Sequence, residues 1–125
     1  MPTPPRPTDA ELQILRVLWD RGPSTVRQVH EAQKRRTSYT TILKLLQIMT
    51  EKGLVTRDES QRSHVYRAKA RQEQTQRQLV SDLLERAFGG AADQLVVQAL
   101  SARKVSAAEI AEIRKLIDRL EERNP

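Results

Sequence analysis

The chain lacks cysteine and has few aromatic residues, and both shortages narrow the classes of protein to which it can belong. Without cysteine it has no disulfide bond and no thiolate metal site, and the secreted, disulfide-rich class is disfavoured. Aromatic residues make up only 3% of the sequence, so a core must be built mainly from Leu, Ile, Val and Ala. No apolar run approaches the roughly 20 residues of a membrane span, and the opening MPTPPRPT does not resemble a signal peptide. We therefore expect a cytoplasmic location.

The sequence also lacks the residue arrangements that enzymes use. Its two histidines, His30 and His64, are far apart, and no nucleophile, glycine-rich phosphate loop or pair of carboxylates in an apolar segment accompanies them. His30 has no second metal ligand at helical spacing, so we interpret it as a structural histidine. We expect no enzymatic activity, no metal, no cofactor and no small-molecule substrate.

Positive charge is confined to the first half of the chain. Residues 1–70 hold 13 Lys and Arg against 7 Asp and Glu, whereas residues 71–125 hold 9 of each, so the net charge of +6 belongs to the first half. This asymmetry indicates a polyanionic partner for that half. The alternative is a basic surface that serves only solubility.

Two short helices are predicted in the first half by the spacing of their capping residues. Residues 1–7 contain four of the six prolines and are expected to form a disordered arm. Thr8 with Glu11, and Thr25 with Gln28, have the capping-box spacing that marks the start of a helix. Apolar residues recur at helical intervals after both positions.

A third helix is predicted over residues 38–52, with Ser38 as its N-cap and Gly53 as the residue that ends it. One face is apolar. The start and the other sides carry hydroxyl groups, an amide and one cation, and none of these residues is an acid: Ser38, Thr40, Thr41, Lys44 and Gln47. That combination suits the edge of a DNA groove. The residues predicted to contact bases are Tyr39, Thr40, Thr41, Lys44 and Gln47.

A β-hairpin is predicted directly after this helix, because residues 54–57 and 63–67 alternate around a polar loop. Three helices followed by a hairpin indicate a winged helix-turn-helix. The residues predicted to contact DNA phosphates are Arg27, Arg35, Arg36, Ser38, Arg57 and Arg62. For three residues a simpler role is open: Ser38 as a cap only, Thr41 as a capping or packing residue, and Lys44 as a solvated charge. A protein-interaction module without DNA binding is the alternative function, and the lack of stacking aromatics disfavours RNA.

Residues 71–125 predict three amphipathic helices. A domain this small is marginally stable alone, so its apolar stripes favour a symmetric dimer over a monomeric three-helix bundle. The fold class is therefore mainly α, with a winged-helix DNA-binding domain over 8–70 and a helical dimerisation domain over 71–125. The residues predicted to form the dimer interface are Leu79, Leu83, Leu84, Phe88, Leu95, Ile110, Ile113, Leu116, Ile117 and Leu120.

Several short pieces follow one another in a characteristic order and spacing. They are Glu11–Leu15, Leu18–Trp19, Ser24–Val29, Tyr39–Ile42, Lys52–Val55, Tyr66, Phe88–Gly90, Leu95–Val96, Ser106 and Glu109–Ile110. In this arrangement the chain resembles the BlaI/MecI penicillinase-repressor family of bacterial transcriptional regulators over nearly all of residues 8–123.

The resemblance implies a homodimeric repressor that binds double-stranded operator DNA at an inverted repeat, often near β-lactam-resistance genes. It also implies relief by a membrane sensor-protease that cuts the helix after Gly89-Gly90. By alignment the cut would fall between Gln98 and Ala99, where the best-known members have Asn followed by an aromatic residue. A related copper-responsive branch uses cysteines near the C-terminus, and this chain has none.

Overall fold

The computed structural model describes residues 5–124, which form six helices and one β-hairpin. The elements are α1 (Asp9–Arg21), α2 (Val26–Ala32), α3 (Tyr39–Lys52), β1 (Val55–Asp58), β2 (Val65–Ala68), α4 (Gln72–Phe88), α5 (Ala92–Ser101) and α6 (Ala107–Arg123). Residues 1–4 of the predicted arm lie outside the described residues, and 5–7 are in neither helix nor strand. No helix in the described part of the chain is long and apolar enough to cross a membrane.

The chain divides into two compact units, and the division lies inside α4, between Leu79 and Val80. The domain boundary predicted from the sequence, at 70/71, precedes α4. The first part of α4 thus belongs to the first unit, and Thr75 on that part is buried. The functional division into DNA-binding and dimerisation domains stays a prediction.

The starts of α1 and α2 are fixed by the predicted capping boxes. The Thr8 hydroxyl accepts a hydrogen bond from the Glu11 backbone N–H at 3.2 Å, and the Glu11 carboxylate accepts one from the Thr8 N–H at 2.9 Å. Thr25 and Gln28 repeat the arrangement at 3.2 and 2.9 Å. Each box satisfies two donors that a helix N-terminus otherwise leaves unpaired, which is why both helices begin where the sequence predicts.

Both predicted ends of α3 are confirmed. Ser38 caps it by accepting a hydrogen bond from the Thr41 N–H at 3.2 Å. Gly53 follows its last turn in the left-handed conformation, with φ 81°. A residue with a Cβ atom would be strained there, so glycine makes this the natural point for the chain to leave the helix and enter β1.

The core lies entirely in the first unit and is built mainly from aliphatic residues, as the composition predicts. Its members are Ile14, Leu15, Leu18, Val26, Val29, Ile42, Leu46, Met49, Val55 and Tyr66. On α1, the helical spacing of Leu12, Leu15 and Leu18 predicts one apolar stripe with Ile14 beside it, and the structure differs in one detail. Ile14 is fully buried and Leu12 only half-buried, because α1 packs against α2, α3 and β2 and therefore buries a broader face.

The hairpin attaches to the helices through Tyr66. Tyr66 pairs with Arg57 across the antiparallel strands and also forms a bridge with Ser24, whose N–H and C=O bond to it at 3.0 and 2.8 Å. Its side chain is buried, whereas that of Val65 is only half-buried. Successive residues of a strand face opposite sides, so only one of this pair can enter the core.

The second unit comprises the end of α4 with α5 and α6. Gly89 and Gly90, both with positive φ, follow the end of α4. Ser106 caps α6 by accepting a hydrogen bond from the Glu109 N–H, while the Glu109 carboxylate accepts one from Arg103 at 2.7 Å. Among the described residues 80–124, no side chain is buried.

Candidate nucleic-acid interface

The face of α3 opposite the core is exposed and polar. Ile42, Leu46 and Met49 are fully buried on one side of the helix. The five residues predicted to contact bases all lie exposed on the remaining surface: Tyr39, Thr40, Thr41, Lys44 and Gln47. The first turn of the helix contains no acid, so a negatively charged partner meets no carboxylate there.

The hydroxyl groups at the start of α3 are already engaged with each other. Ser38 Oγ donates to Thr41 Oγ1 at 2.8 Å in addition to capping the helix. The capping role that the sequence left open for both residues is therefore present. Any DNA contact by Ser38 or Thr41 would share these hydroxyls with the cap, whereas Thr40 and Lys44 lack this constraint because neither takes part in the cap.

A strained turn precedes α3 and presents a run of cations. Lys34 and Arg35 have φ values of 55° and 57°, in the left-handed region that costs a residue with a Cβ atom roughly 1–2 kcal/mol. The turn is held by hydrogen bonds from the Arg35 N–H to the His30 carbonyl and from the Arg36 N–H to the Gln33 carbonyl. Lys34, Arg35 and Arg36 are all exposed immediately before the polar start of α3.

A cleft of about 700 Å³ separates the beginning of α3 from the wing, which is the hairpin and its loop, residues 55–68. Two of the arginines predicted to contact phosphates, Arg27 and Arg62, lie on it, together with Tyr39. The Tyr39 ring is 47% exposed and stands edge-on to His30, with ring centroids 5.9 Å apart. His30 thus has the structural role that the sequence suggests, which is to support a residue of the candidate interface.

Sequence reasoning missed two residues of this cleft, Ser63 and His64. His64 is exposed and lies on the wing two positions after Arg62. Arg62 and Ser63 lie in bends of the loop and only β2 after them is extended, so strand alternation does not relate the two residues and closeness in sequence was the only signal. Arg62 and His64 supply two hydrogen-bond donors to one wall of the cleft.

Arg57 is exposed but shares a face of the hairpin with Tyr66. Residues paired directly across two strands share a face, and Arg57 pairs with Tyr66, whose side chain enters the core. The Arg57 guanidinium forms an ion pair with Glu59 on the wing loop. A hydrogen bond with the Tyr66 side chain, and then the Glu59 carboxylate, raise the pKa of Arg57 above its ordinary value.

The far end of α3 is fixed to α1 by an ion pair that the sequence does not reveal. Lys52 Nζ lies 2.6 Å from the carboxylate of Glu11, a side chain that is only 2% exposed. The same Nζ also donates a hydrogen bond to the Arg6 carbonyl at 3.3 Å. Burial raises the pKa of Glu11, but the bonds from Lys52 and Thr8 outweigh it and leave the pKa below its ordinary value. The pair holds the helix at a fixed position on its scaffold.

The residues predicted for dimerisation and for cleavage lie outside this interface. Most of the former are half-buried, but Leu83, Leu116, Ile117 and Leu120 are between 49% and 56% exposed. Two further apolar residues that the prediction omitted, Val96 and Val97, are exposed on α5. Gln98 and Ala99 are also exposed on α5.

The chain is similar to proteins of known name. Two curated relatives, the transcriptional regulators BlaI of Mycobacterium tuberculosis strains CDC 1551 / Oshkosh and ATCC 25618 / H37Rv, are each 43% identical to it over 61 residues. The match covers 46% of this chain and 44% of each relative, so less than half of either protein is spanned. A solved MarR family protein from Bacillus stearothermophilus is 21% identical, with a TM-score of 0.48 over 93% of this chain and 74% of that one.

The family match extends much further along the chain than these pairwise similarities. The family described as penicillinase repressor matches residues 7–119, which include every helix and strand of the first unit and most of the second. The resemblance stated from the sequence pieces is confirmed by this match. The chain belongs to the penicillinase repressor family.

Proposed function

We propose that the protein is a homodimeric transcriptional repressor that binds an inverted-repeat operator through α3. The observation that carries the proposal is the two-sided character of this helix. Its apolar side is buried in the core, while its polar side, whose first turn contains no acid, is exposed between the cations of the preceding turn and the cleft of the wing. The relatives named as transcriptional regulators support the same function.

Sequence reading is assigned chiefly to Thr40 and Lys44. An exposed Lys can donate to O6 and N7 of guanine, and a Thr methyl group can contact the methyl group of thymine. Gln47 offers an amide for adenine, and Tyr39 borders the cleft at the start of the helix. Thr41 is placed second to these because its hydroxyl is shared with the Ser38 cap.

Affinity is assigned to the surrounding cations. Arg35 and Arg36 lie in the turn before α3, and Arg27 and Arg62 line the cleft. Contacts from such residues to the DNA backbone fix the position of the protein without reading sequence. They also make binding salt-dependent, since each neutralised phosphate releases counterions.

The test separates these two roles. We expect Lys44→Ala to weaken binding to the operator by about 1–3 kcal/mol and to change the base preference, with a smaller effect on random DNA. Arg62→Ala should weaken binding to operator and random duplexes by the same factor and lower the salt slope by about 0.9 per wing engaged. Footprinting on the DNA upstream of the gene identifies the operator, and fluorescence anisotropy over a salt series measures both variants.

The control is Lys115→Ala on α6, far along the chain from α3, which should leave both affinities unchanged. Equal losses on operator and random DNA for Lys44→Ala would refute base reading by this helix. A flat, weak salt response of the unmodified protein would favour the protein-interaction module instead.

Dimerisation is proposed through the second unit. Its helices are amphipathic, and several aliphatic side chains on them remain about half exposed. Burying apolar surface against a partner contributes about 25 cal/mol per Å² to the free energy of association. A symmetric second copy provides a matching surface without requiring another partner. When the two DNA-binding units of a dimer bind one DNA, their binding free energies add. Once the first α3 is bound, dimerisation holds the second α3 near the DNA and so raises its effective concentration.

Relief by a membrane sensor-protease, acting between Gln98 and Ala99, is proposed as the regulatory step for nearby genes, including those of β-lactam resistance. α5 is only ten residues long, and its N-cap, Ala91, forms no side-chain hydrogen bond with the helix. A short helix without a cap opens at low cost, which suits a bond that must become extended to be cut. Mass spectrometry of the protein from induced cells should give fragments ending at Gln98 and beginning at Ala99; intact chains throughout induction would contradict this step.

A further inference from the structure

The ion pair between Arg57 and Glu59 has a consequence for DNA binding. Both residues belong to the wing, and Glu59 lies on the loop at its tip, where a DNA backbone would approach. The guanidinium is held by the Glu59 carboxylate, and Arg57 pairs across the strands with the buried Tyr66. A phosphate that approaches Arg57 therefore finds its charge already compensated.

We propose that Glu59 is an internal competitor for DNA phosphate, which holds Arg57 in an ion pair and so lowers the affinity of the wing for DNA of any sequence. The inference rests on the proposed function, because it concerns the same DNA interface. In this role Glu59 lowers the affinity for DNA, and Arg57 contacts a phosphate only after it is released from Glu59.

The physical basis is a competition between two anions for one cation. An ion pair with solvent access is weak, so DNA phosphate can displace the carboxylate, but it must first break the pair. The displaced carboxylate then faces a negatively charged backbone without its partner. Both effects oppose binding without reference to base sequence, because Arg57 can reach only the phosphate backbone in this role.

Asp58, the neighbouring acid, is engaged differently and supplies a matched control. The Ser60 side chain and then the Ser60 N–H, which donates to the Asp58 carboxylate at 2.9 Å, lower the pKa of Asp58, and the charge of Arg67 lowers it further without an ion pair. Asp58→Asn removes the same charge as Glu59→Gln while keeping an oxygen that can accept from Ser60. The two variants therefore separate the loss of one negative charge on the wing from the release of Arg57.

The experiment measures binding of the full chain to a random-sequence duplex by fluorescence anisotropy over a salt series. We expect Glu59→Gln to tighten binding about two- to five-fold per wing and to steepen the salt slope by about 0.9 per wing, as one more phosphate is neutralised. Asp58→Asn should leave the slope unchanged. In an Arg57→Gln background, which keeps a hydrogen-bonding group for Tyr66, Glu59→Gln should have no effect on the slope.

Several results would overturn the inference. If Glu59→Gln and Asp58→Asn strengthen binding equally, or if the gain from Glu59→Gln persists in the Arg57→Gln background, simple charge repulsion explains the effect and Glu59 does not compete for Arg57. If unmodified protein binds with a steep salt slope and Glu59→Gln changes nothing, the inference fails while the proposed function stands. A flat salt response of the unmodified protein would overturn both. Circular dichroism melting of each variant confirms that the wing remains folded.

Discussion

The two units of the molecule differ in where their apolar side chains lie. The first unit closes ten hydrophobic side chains into a core, each at most 7% exposed. The second unit, with helices of comparable length, has no buried side chain among its described residues and leaves several aliphatic residues about half exposed. Amphipathic periodicity in a sequence therefore does not by itself imply that the chain buries its apolar residues in a core of its own. One set of stripes is buried within the chain, and the other is not.

The largest expected effect is on association of the second unit. Leu116→Asp with Ile117→Asp places two charges on the exposed apolar face of α6, where burial of an unpaired charge is strongly unfavourable. We expect the dissociation constant of the dimer to rise at least ~100-fold, with the helical content retained. Sedimentation velocity measures the change. Lys115→Asp, on the opposite face of the same helix, is the control and should remain dimeric; an intact dimer in the double variant would reject the assigned interface.

A core truncation sharpens the contrast between the units. Leu46 of α3 is fully buried, so Leu46→Ala should reduce the free energy of unfolding by about 2–5 kcal/mol, through lost burial and the cavity that remains. Because this core is closed within one chain, the loss should not depend on protein concentration.

Leu120→Ala on α6 provides the comparison. Its side chain is 56% exposed in the single chain, and its loss should matter only where two chains associate. Denaturant unfolding at several protein concentrations tests both variants. A concentration-dependent loss for Leu46→Ala, or a concentration-independent loss of the same size for Leu120→Ala, would contradict the division between the units.

A smaller effect is expected at the ion pair that fixes α3 in the first unit. Lys52→Met leaves the buried Glu11 carboxylate without its cation, and we expect a loss of about 2 kcal/mol at pH 7, less than for a fully enclosed pair because the Lys52 side chain is 31% exposed. Lys44→Met, which removes an exposed cation from the same helix, should change stability by less than about 0.5 kcal/mol.

The pH dependence of the same pair has a definite sign. The folded state lowers the pKa of Glu11, so its stabilising contribution is complete above the ordinary pKa of a glutamate and is lost as the pH falls through the lowered value. The difference between Lys52→Met and the unmodified protein should therefore shrink as the pH falls below the ordinary pKa of a glutamate and Glu11 becomes protonated. Urea unfolding between pH 3 and 7 measures it; a difference that grows on acidification would show that the pair is not its cause.

Local signals in the sequence were sufficient for the fold class of the winged helix and for the starts of its helices, whereas its strands lie one or two positions later than predicted. The caps at Thr8, Thr25 and Ser38 each depend on residues three positions apart, and Gly53 supplies the left-handed conformation that ends α3. The exposure of Lys44 and its neighbours follows from helical periodicity once the apolar face is known. These features belong to single elements, so no knowledge of the tertiary structure was needed.

The features that sequence reasoning missed depend on contacts between elements. Glu11 and Lys52 are 41 positions apart, and nothing in the local pattern pairs them. The face on which Arg57 lies is decided by its pairing with Tyr66, and a shift of one residue in the register would place it on the other side. The left-handed conformation of Lys34 and Arg35 is unusual for residues with a Cβ atom, and the hydrogen bonds of the turn, not residue preference, select it.

The most direct test compares the DNA affinity of one DNA-binding unit with that of two joined units. The operator affinity of the unmodified protein is measured beside that of the Leu116→Asp, Ile117→Asp variant, on the full inverted repeat and on a single half-site. We expect the variant to bind the half-site with the same affinity as the unmodified protein. Its affinity for the full repeat should fall at least ~100-fold, because the second DNA-binding unit is no longer held near the DNA. Undiminished binding of the monomeric variant to the full repeat would contradict the claim that the second unit joins two DNA-binding units by dimerising.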